Sequence, residues 1–204
     1  NVSFYNKIKE VGIKPAPSIV GVGLIKNYKT MVTMDFKEVN NLVLLIGKTE
    51  GHIDQSLFAR VILDEKNGPP PEVNLFNEKN NGETLLQLAK KDYIKSAHDI
   101  SLGGLITAIS KMCIKGNKGI KLNKSKNFMS EIEYFFSEDQ GRYIIEINKS
   151  DIKKVTSFLE KNAVHYEEIG ILKGKSINFD EKTIVPIDEL KTYNSNWFDN
   201  YMSK

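Results

Sequence analysis

Ala97-His98-Asp99-Ile100-Ser101-Leu102-Gly103-Gly104-Leu105 leads from an extended segment into a helix. Upstream, residues 93–97 read as a strand. Downstream, Leu105, Ala108, Ile109, Met112 and Cys113 recur at the 3.6-residue period, and the pattern stops near Gly116, a natural helix terminator. Strand, glycine turn and amphipathic helix make an α/β unit. Asp99 and Ser101 stand where an N-cap is needed, and Gly103-Gly104 lets another backbone or a phosphate approach the free amides of the first helical turn. Capping with tight helix–strand packing and anion binding use the same geometry. His98 reads as a hydrogen-bonded packing residue or as an acid–base group.

Earlier in the chain, Leu42-Val43-Leu44-Leu45-Ile46 is an uninterrupted apolar run, as expected of a strand buried on both faces. Residues 55–63 read as a short helix, and Asn67-Gly68-Pro69-Pro70-Pro71 as a turn, since three prolines in a row cannot continue a helix. Leu85, Leu88 and Ala89 fall at helical spacing. Residues 142–147 read as a strand mixing apolar and polar positions, and Ser150 as the N-cap of a helix burying Ile152, Val155, Phe158 and Leu159. Two short strands, 168–172 and 176–179, precede a final amphipathic helix over 189–202. Residues 1–32 carry β-like runs at 2–5 and 18–25, broken by Pro15-Ala16-Pro17, and Gly21 and Gly23 suggest a close backbone approach. The boundary between two parts falls within 34–41.

The chain has 204 residues, enough for one domain, or one domain and a piece of another. Apolar residues make up 40% and charged residues 27%, with 14 Gly and 6 Pro, which excludes collagen-like, proline-rich and disordered classes. A net charge of +3 is too small to indicate a nucleic-acid or membrane partner. No apolar run approaches the ~20 residues of a spanning helix, and residues 1–15 lack a signal-peptide layout. Cys113 is the only cysteine, so no intrachain disulfide forms, which fits the cytoplasm. A first residue of Asn1 rather than Met suggests processing or, better, the downstream part of something longer.

Three segments carry candidate chemistry. In Asn1-Val2-Ser3-Phe4-Tyr5-Asn6, an amide oxygen and a hydroxyl two residues apart project to one side of an extended chain. Asn oxygen suits Mg²⁺ and a serine hydroxyl suits a phosphate or amide oxygen; alternatively these are turn or edge residues. Ser137-Glu138-Asp139-Gln140-Gly141-Arg142 sets two acids, an amide and a guanidinium before a strand. That composition can bind Mg²⁺, a ribose hydroxyl or a phosphate, or can form a solvated loop with a local ion pair. Cys113 on the apolar helix face reads as core rather than nucleophile. Lys115, Lys118, Lys121, Lys124 and Lys126 have no interleaved aromatics and read as a solvated face rather than a nucleic-acid site.

Taken in order, six segments resemble the C-terminal part of the large subunit of phosphoribosylformylglycinamidine synthase, a purine-biosynthesis enzyme. They are Asn1 to Asn6, Pro17-Ser18-Ile19-Val20-Gly21-Val22-Gly23-Leu24-Ile25, Gly51-His52-Ile53-Asp54-Gln55-Ser56, Gly68-Pro69-Pro70-Pro71, the Ala97 to Leu105 stretch, and Ser137 to Tyr143. Aminoimidazole ribonucleotide synthetase and selenophosphate synthetase, of the same superfamily, match less well. Asp54 and Ser137 stand where many relatives have Gly, and Gly141 where Ala is common. If position 54 needs a left-handed backbone, the Asp54 change bears on its loop.

The resemblance implies an α/β (α+β) chain: residues 1–35 would be the last strands of the second ATP-binding domain, and 36–204 a three-layer α/β/α companion domain with a mixed sheet. It implies an ATP-dependent ligase that makes formylglycinamidine ribonucleotide from formylglycinamide ribonucleotide and glutamine-derived ammonia. Cofactors would be Mg²⁺ and ATP. Asn1 would match a Mg²⁺ ligand and Ser3 a substrate contact, and Glu138, Asp139 and Gln140 would face an auxiliary nucleotide site. The histidine of the amidation step would lie upstream, so no catalytic residue is assigned. Partners would be a glutaminase subunit, a small accessory subunit and the upstream domains, with no nucleic acid and no membrane. The competing readings are an assembly module docking the glutaminase, and another superfamily enzyme such as aminoimidazole ribonucleotide synthetase.

Overall fold

The computed structural model describes residues 7–9, 11–12, 19–123, 130–179 and 183–203. Asn1, Ser3, the 2–5 run, Pro15 to Ser18, Lys124 and Lys126 lie outside the described residues. A two-stranded antiparallel ribbon comes first, β1 (Lys7–Ile8) with β2 (Val11–Gly12). The main body is a seven-stranded mixed sheet of β3 (Leu42–Ile46), β4 (Ser96–Asp99), β5 (Ile120–Leu122), β6 (Tyr143–Ile147), β7 (Tyr166–Leu172), β8 (Ser176–Asn178) and β9 (Ile184–Pro186). Its order is β4-β6-β3-β7-β5-β8-β9, with every pair antiparallel except the parallel β5–β8.

β3 lies inside the sheet between β6 and β7 and is buried throughout, as its apolar run requires. Because successive side chains point to opposite faces, its residues feed two cores. Val43 and Leu45 join Leu105, Ile109, Met112 and Cys113 of α3 (Gly104–Gly116), with Tyr134 of α4 (Glu131–Phe136) and Ile187 of α6 (Ile187–Met202). Leu42, Leu44 and Ile46 join Leu88 of α2 (Leu75–Lys90), and Val155 and Leu159 of α5 (Ile152–Lys161). The result is the expected three layers, helices on both faces of a mixed sheet. α1 (Leu57–Val61) sits at one end, with Phe58 against the Phe136 ring at 4.8 Å.

Several local expectations shift. The strand expected at 93–97 is Ser96–Asp99, because the register to β6 pairs Ser96 with Glu146 and Asp99 with Tyr143. The 19–25 run forms no strand: Ile19, Val20, Val22 and Leu24 are exposed, and no described strand takes its backbone bonds. Gly21 and Gly23 have open space around them rather than a close backbone neighbour. Ser150 lies inside a 3₁₀ turn, Lys149–Asp151, and does not cap α5; Asp151 pairs with Lys154 instead. The 55–63 helix is shorter, with Ser56 as its side-chain cap. α6 begins at Ile187, and its outer turns leave Tyr193, Trp197 and Tyr201 exposed. α4, β5 and β9 are too short to give a periodic signal.

Candidate functional site

Antiparallel pairing decides which motifs meet. Ile46 at the end of β3 pairs with Tyr143 at the start of β6, and Asp99 at the end of β4 pairs with the same tyrosine. The segments adjoining these ends, 47–57, 137–142 and 100–104, therefore come together at one end of the strands. Gly47 makes the turn out of β3 with φ +88°; a Cβ there would sit 2.7 Å from the Gly141 carbonyl oxygen, so no larger residue fits.

Asp139 is buried and its carboxylate gathers consecutive backbone amides. Oδ2 accepts from Glu50 N at 3.0 Å and Gly51 N at 3.1 Å, and Oδ1 from His52 N at 3.1 Å. Glu138 Oε1 accepts from Leu57 N at 2.7 Å and from Gly103 N at 2.8 Å, while its own N–H donates to the His52 carbonyl at 3.1 Å. Arg142 lies beneath, 1% exposed: Nε donates to the Asp139 carbonyl, Nη1 to Thr49 Oγ1 and Nη2 to the Ser137 carbonyl. Nη1 is also 3.8 Å from Asp139 Oδ2. Burial lowers the Arg142 pKa and the Asp139 charge opposes that shift. Ser137, Asp139 and Arg142 thus form a buried hydrogen-bonded lock, with Gln140 exposed above it.

The start of α3 is capped differently from expectation. Gly103 is its N-cap, with φ +83° and no side-chain cap; Asp99 and Ser101 do not serve. Asp99 Oδ1 lies 3.0 Å from His98 Nδ1, and Ser101 contributes only its carbonyl, to Gly104 N. The missing acceptor at the helix start comes from Glu138, 35 residues on. His98 is placed as a packing residue on β4 beside Asp99.

Two more motifs join this rim. His52 Nε2 lies 3.1 Å from the Pro69 carbonyl, and Gln55 Nε2 donates to the carbonyls of Lys66 and Gly68. Gly51 (φ 84°) and Gln55 (φ 61°) take the left-handed conformation in this loop, and Asp54 does not. Between this wall and the start of α2 opens a cleft of about 1040 Å³, bordered by Gly51, His52, Asp54, Glu72, Glu78 and Gln140 among others. Gln140 is exposed at its edge, with Nε2 only 3.3 Å from the Glu138 carbonyl. Asp139 also borders the cleft; Glu138 does not. Among the described residues, no group of three or more His, Cys, Asp or Glu side chains is placed to hold a metal ion. Cys113 is buried in the core, and burial pushes its thiol up to about 12, too high for a nucleophile. Among the described residues no helix is long and apolar enough to cross a membrane.

Residues 38–180 match the family model described as AIR synthase related protein, C-terminal domain. The chain belongs to this family. Within the AIR synthase related proteins, it is 62% identical over 202 residues to the phosphoribosylformylglycinamidine synthase subunit PurL of Pelagibacter ubique, covering 99% of this chain and 28% of that protein. The chain thus spans just over a quarter of the length of such relatives. Among solved structures, Thermotoga maritima PurL complexed with FGAR superposes with a TM-score of 0.65, at 17% identity, over 80% of this chain and 30% of that one. The same protein complexed with ATP gives 0.61 at 17%, over 80% and 27%. PurLQS from T. maritima gives 0.61 at 18%, over 80% and 28%. At these identities the structures show a shared fold, that of the AIR synthase related C-terminal domain.

Proposed function

We propose that this chain is the C-terminal part of the large subunit of a phosphoribosylformylglycinamidine synthase, with residues 1–35 ending its second ATP-binding domain and 36–204 forming the companion domain. The observation that carries this reading is the 62% identity to a PurL subunit across 99% of the chain. The whole subunit would convert formylglycinamide ribonucleotide, ATP and glutamine-derived ammonia to formylglycinamidine ribonucleotide in purine biosynthesis, in the cytoplasm. The chemistry needs ATP because an amide oxygen is a poor leaving group. Transfer of the γ-phosphoryl group to that oxygen makes it one; ammonia then adds to the carbon and phosphate departs, leaving the amidine.

In this reading the Asn1 amide oxygen helps hold Mg²⁺ and the Ser3 hydroxyl contacts the ribonucleotide. Bound Mg²⁺ would neutralise phosphate charge and orient ATP. The T. maritima PurL complexes with ATP and with FGAR support both ligands for the relative, and PurLQS supports partners. For this chain those partners would be a glutaminase subunit, a small accessory subunit and the upstream domains. The cleft beside Gln140 would face an auxiliary nucleotide. Its carboxylates, Asp54, Glu72 and Glu78 among them, suit ribose hydroxyls rather than bare phosphate.

The test uses the full-length subunit with its glutaminase. Asn1→Ala and Ser3→Ala should each lower ATP-dependent amidine formation at least tenfold. Unchanged rates in both would remove the site assignment, and assembly with the glutaminase together with unchanged rates would favour an assembly module.

A further inference from the structure

The acids at 138 and 139 are candidates for touching a ligand, yet both Asp139 oxygens and Glu138 Oε1 are taken by backbone amides. Five backbone amides converge on the two side chains: those of Glu50, Gly51, His52 and Leu57 from one wall of the cleft, and that of Gly103 from the start of α3. A carboxylate receiving several amide donors is an organising group for the backbone around it, because each donor left without an acceptor in a buried place is costly. Arg142 completes the arrangement from below, holding the carbonyls of Ser137 and Asp139 and the Thr49 hydroxyl. Asp139, 7% exposed, has both oxygens occupied by these amides.

We propose that Glu138 and Asp139 are positioning residues, which fix the 49–57 wall of the cleft against the N-terminus of α3, and that the contact to an occupant from this loop comes from Gln140. The two carboxylates act through the main chain: they set where the Gly51 to Asp54 edge lies before any ligand arrives. A preformed wall lets an occupant bind without ordering a loop of this length. Asp139 cannot be replaced by its amide without loss. Asn offers one oxygen where three amides need acceptors, and its NH₂ group faces a donor. The identity of the occupant as a nucleotide rests on the proposed function; the positioning role does not.

The experiment compares Asp139→Asn, Glu138→Gln and Gln140→Ala with the parent in the full-length subunit, by amide hydrogen exchange and by ADP binding. Asp139→Asn should speed exchange at residues 50–52 at least tenfold while β3 and β6 stay protected, and should weaken ADP binding at least fivefold. Glu138→Gln should do the same at Leu57 and Gly103. Gln140→Ala should weaken ADP binding with exchange unchanged, the split that separates contact from positioning. Unchanged exchange at 50–52 and at 57 and 103 in the two acid variants would overturn the positioning role, as would faster exchange with ADP affinity intact. A parent that binds no ADP would overturn the nucleotide reading instead, and the exchange rates alone would then decide.

Discussion

Glu146 Oε2 accepts a hydrogen bond from Lys37 N at 2.7 Å, joining residues 109 positions apart. Glu146 lies on β6 and is wholly buried, and its carboxylate also receives Glu38 N, Asn41 Nδ2 and Ser96 Oγ at 2.9, 2.7 and 2.9 Å. The chain thus enters the sheet through a segment pinned by one acid. Replacing Glu146 by Ala leaves four donors without their acceptor and should cost about 3 kcal/mol of stability. Glu146→Gln keeps one oxygen and should cost about half as much. Denaturation midpoints of the two variants check the order; an Ala variant as stable as the Gln variant would remove Glu146 from this role.

Arg142 supports a second prediction. Its planar guanidinium reaches three acceptors in three directions, which a lysine ammonium cannot reproduce. Arg142→Lys should lose about 2 kcal/mol and Arg142→Met about 3 kcal/mol or more, since Met also leaves Asp139 without its nearby positive charge. Thermal unfolding reads both, and a lysine variant at parental stability would show that charge alone suffices.

The buried framework was legible in the residues themselves. Five consecutive apolar residues at 42–46 and the period from Leu105 to Cys113 specify burial on both faces and on one face respectively, and both occur as read. The 19–25 run shows the limit of that logic: apolar β-like sequence becomes a strand only where a neighbour supplies backbone bonds. The lock at the cleft was less visible. Ser137 to Arg142 stood out by composition, but which amides its acids would meet depends on the Ile46–Tyr143 register, set by residues nearly 100 positions apart. Local spacing therefore pointed to Asp99 and Ser101 as caps, while the acceptor for Gly103 is Glu138. The signal that was available is Gly103 itself: a glycine at the N-cap leaves the helix start seeking an acceptor elsewhere.

Two glycines should respond to alanine in opposite directions. Gly104 has φ +69°, and a Cβ would lie 2.6 Å from the Ser137 carbonyl oxygen and 2.7 Å from that of Phe135. Gly104→Ala combines left-handed strain with a backbone clash and should destabilise by about 2 kcal/mol or more. Gly82, inside α2, would meet only the Tyr143 hydroxyl at 3.7 Å, an ordinary contact. Gly82→Ala should stabilise by about 0.5–1 kcal/mol through helix propensity. Melting temperatures moving in the same direction would contradict the placement of one of them.

Cys113 gives the fold an alkaline liability. Burial pushes its thiol up to about 12, against 9.0 for a free thiol, so between these values the unfolded chain releases a proton that the folded chain retains. The unfolded state then binds fewer protons, and stability falls as pH rises, by at most about 1.4 kcal/mol per unit. Tyr134, raised by burial and then by Glu167, adds a loss of the same sign at higher pH. Cys113→Ala removes only the first contribution. Its own stability is lower at neutral pH because the side chain shrinks in a packed core, but its decline between about pH 8 and about pH 10 should be shallower than the parent's, by about 1 kcal/mol. Denaturant midpoints at the two pH values give both slopes, and equal slopes would mean that the thiol meets solvent in the native protein.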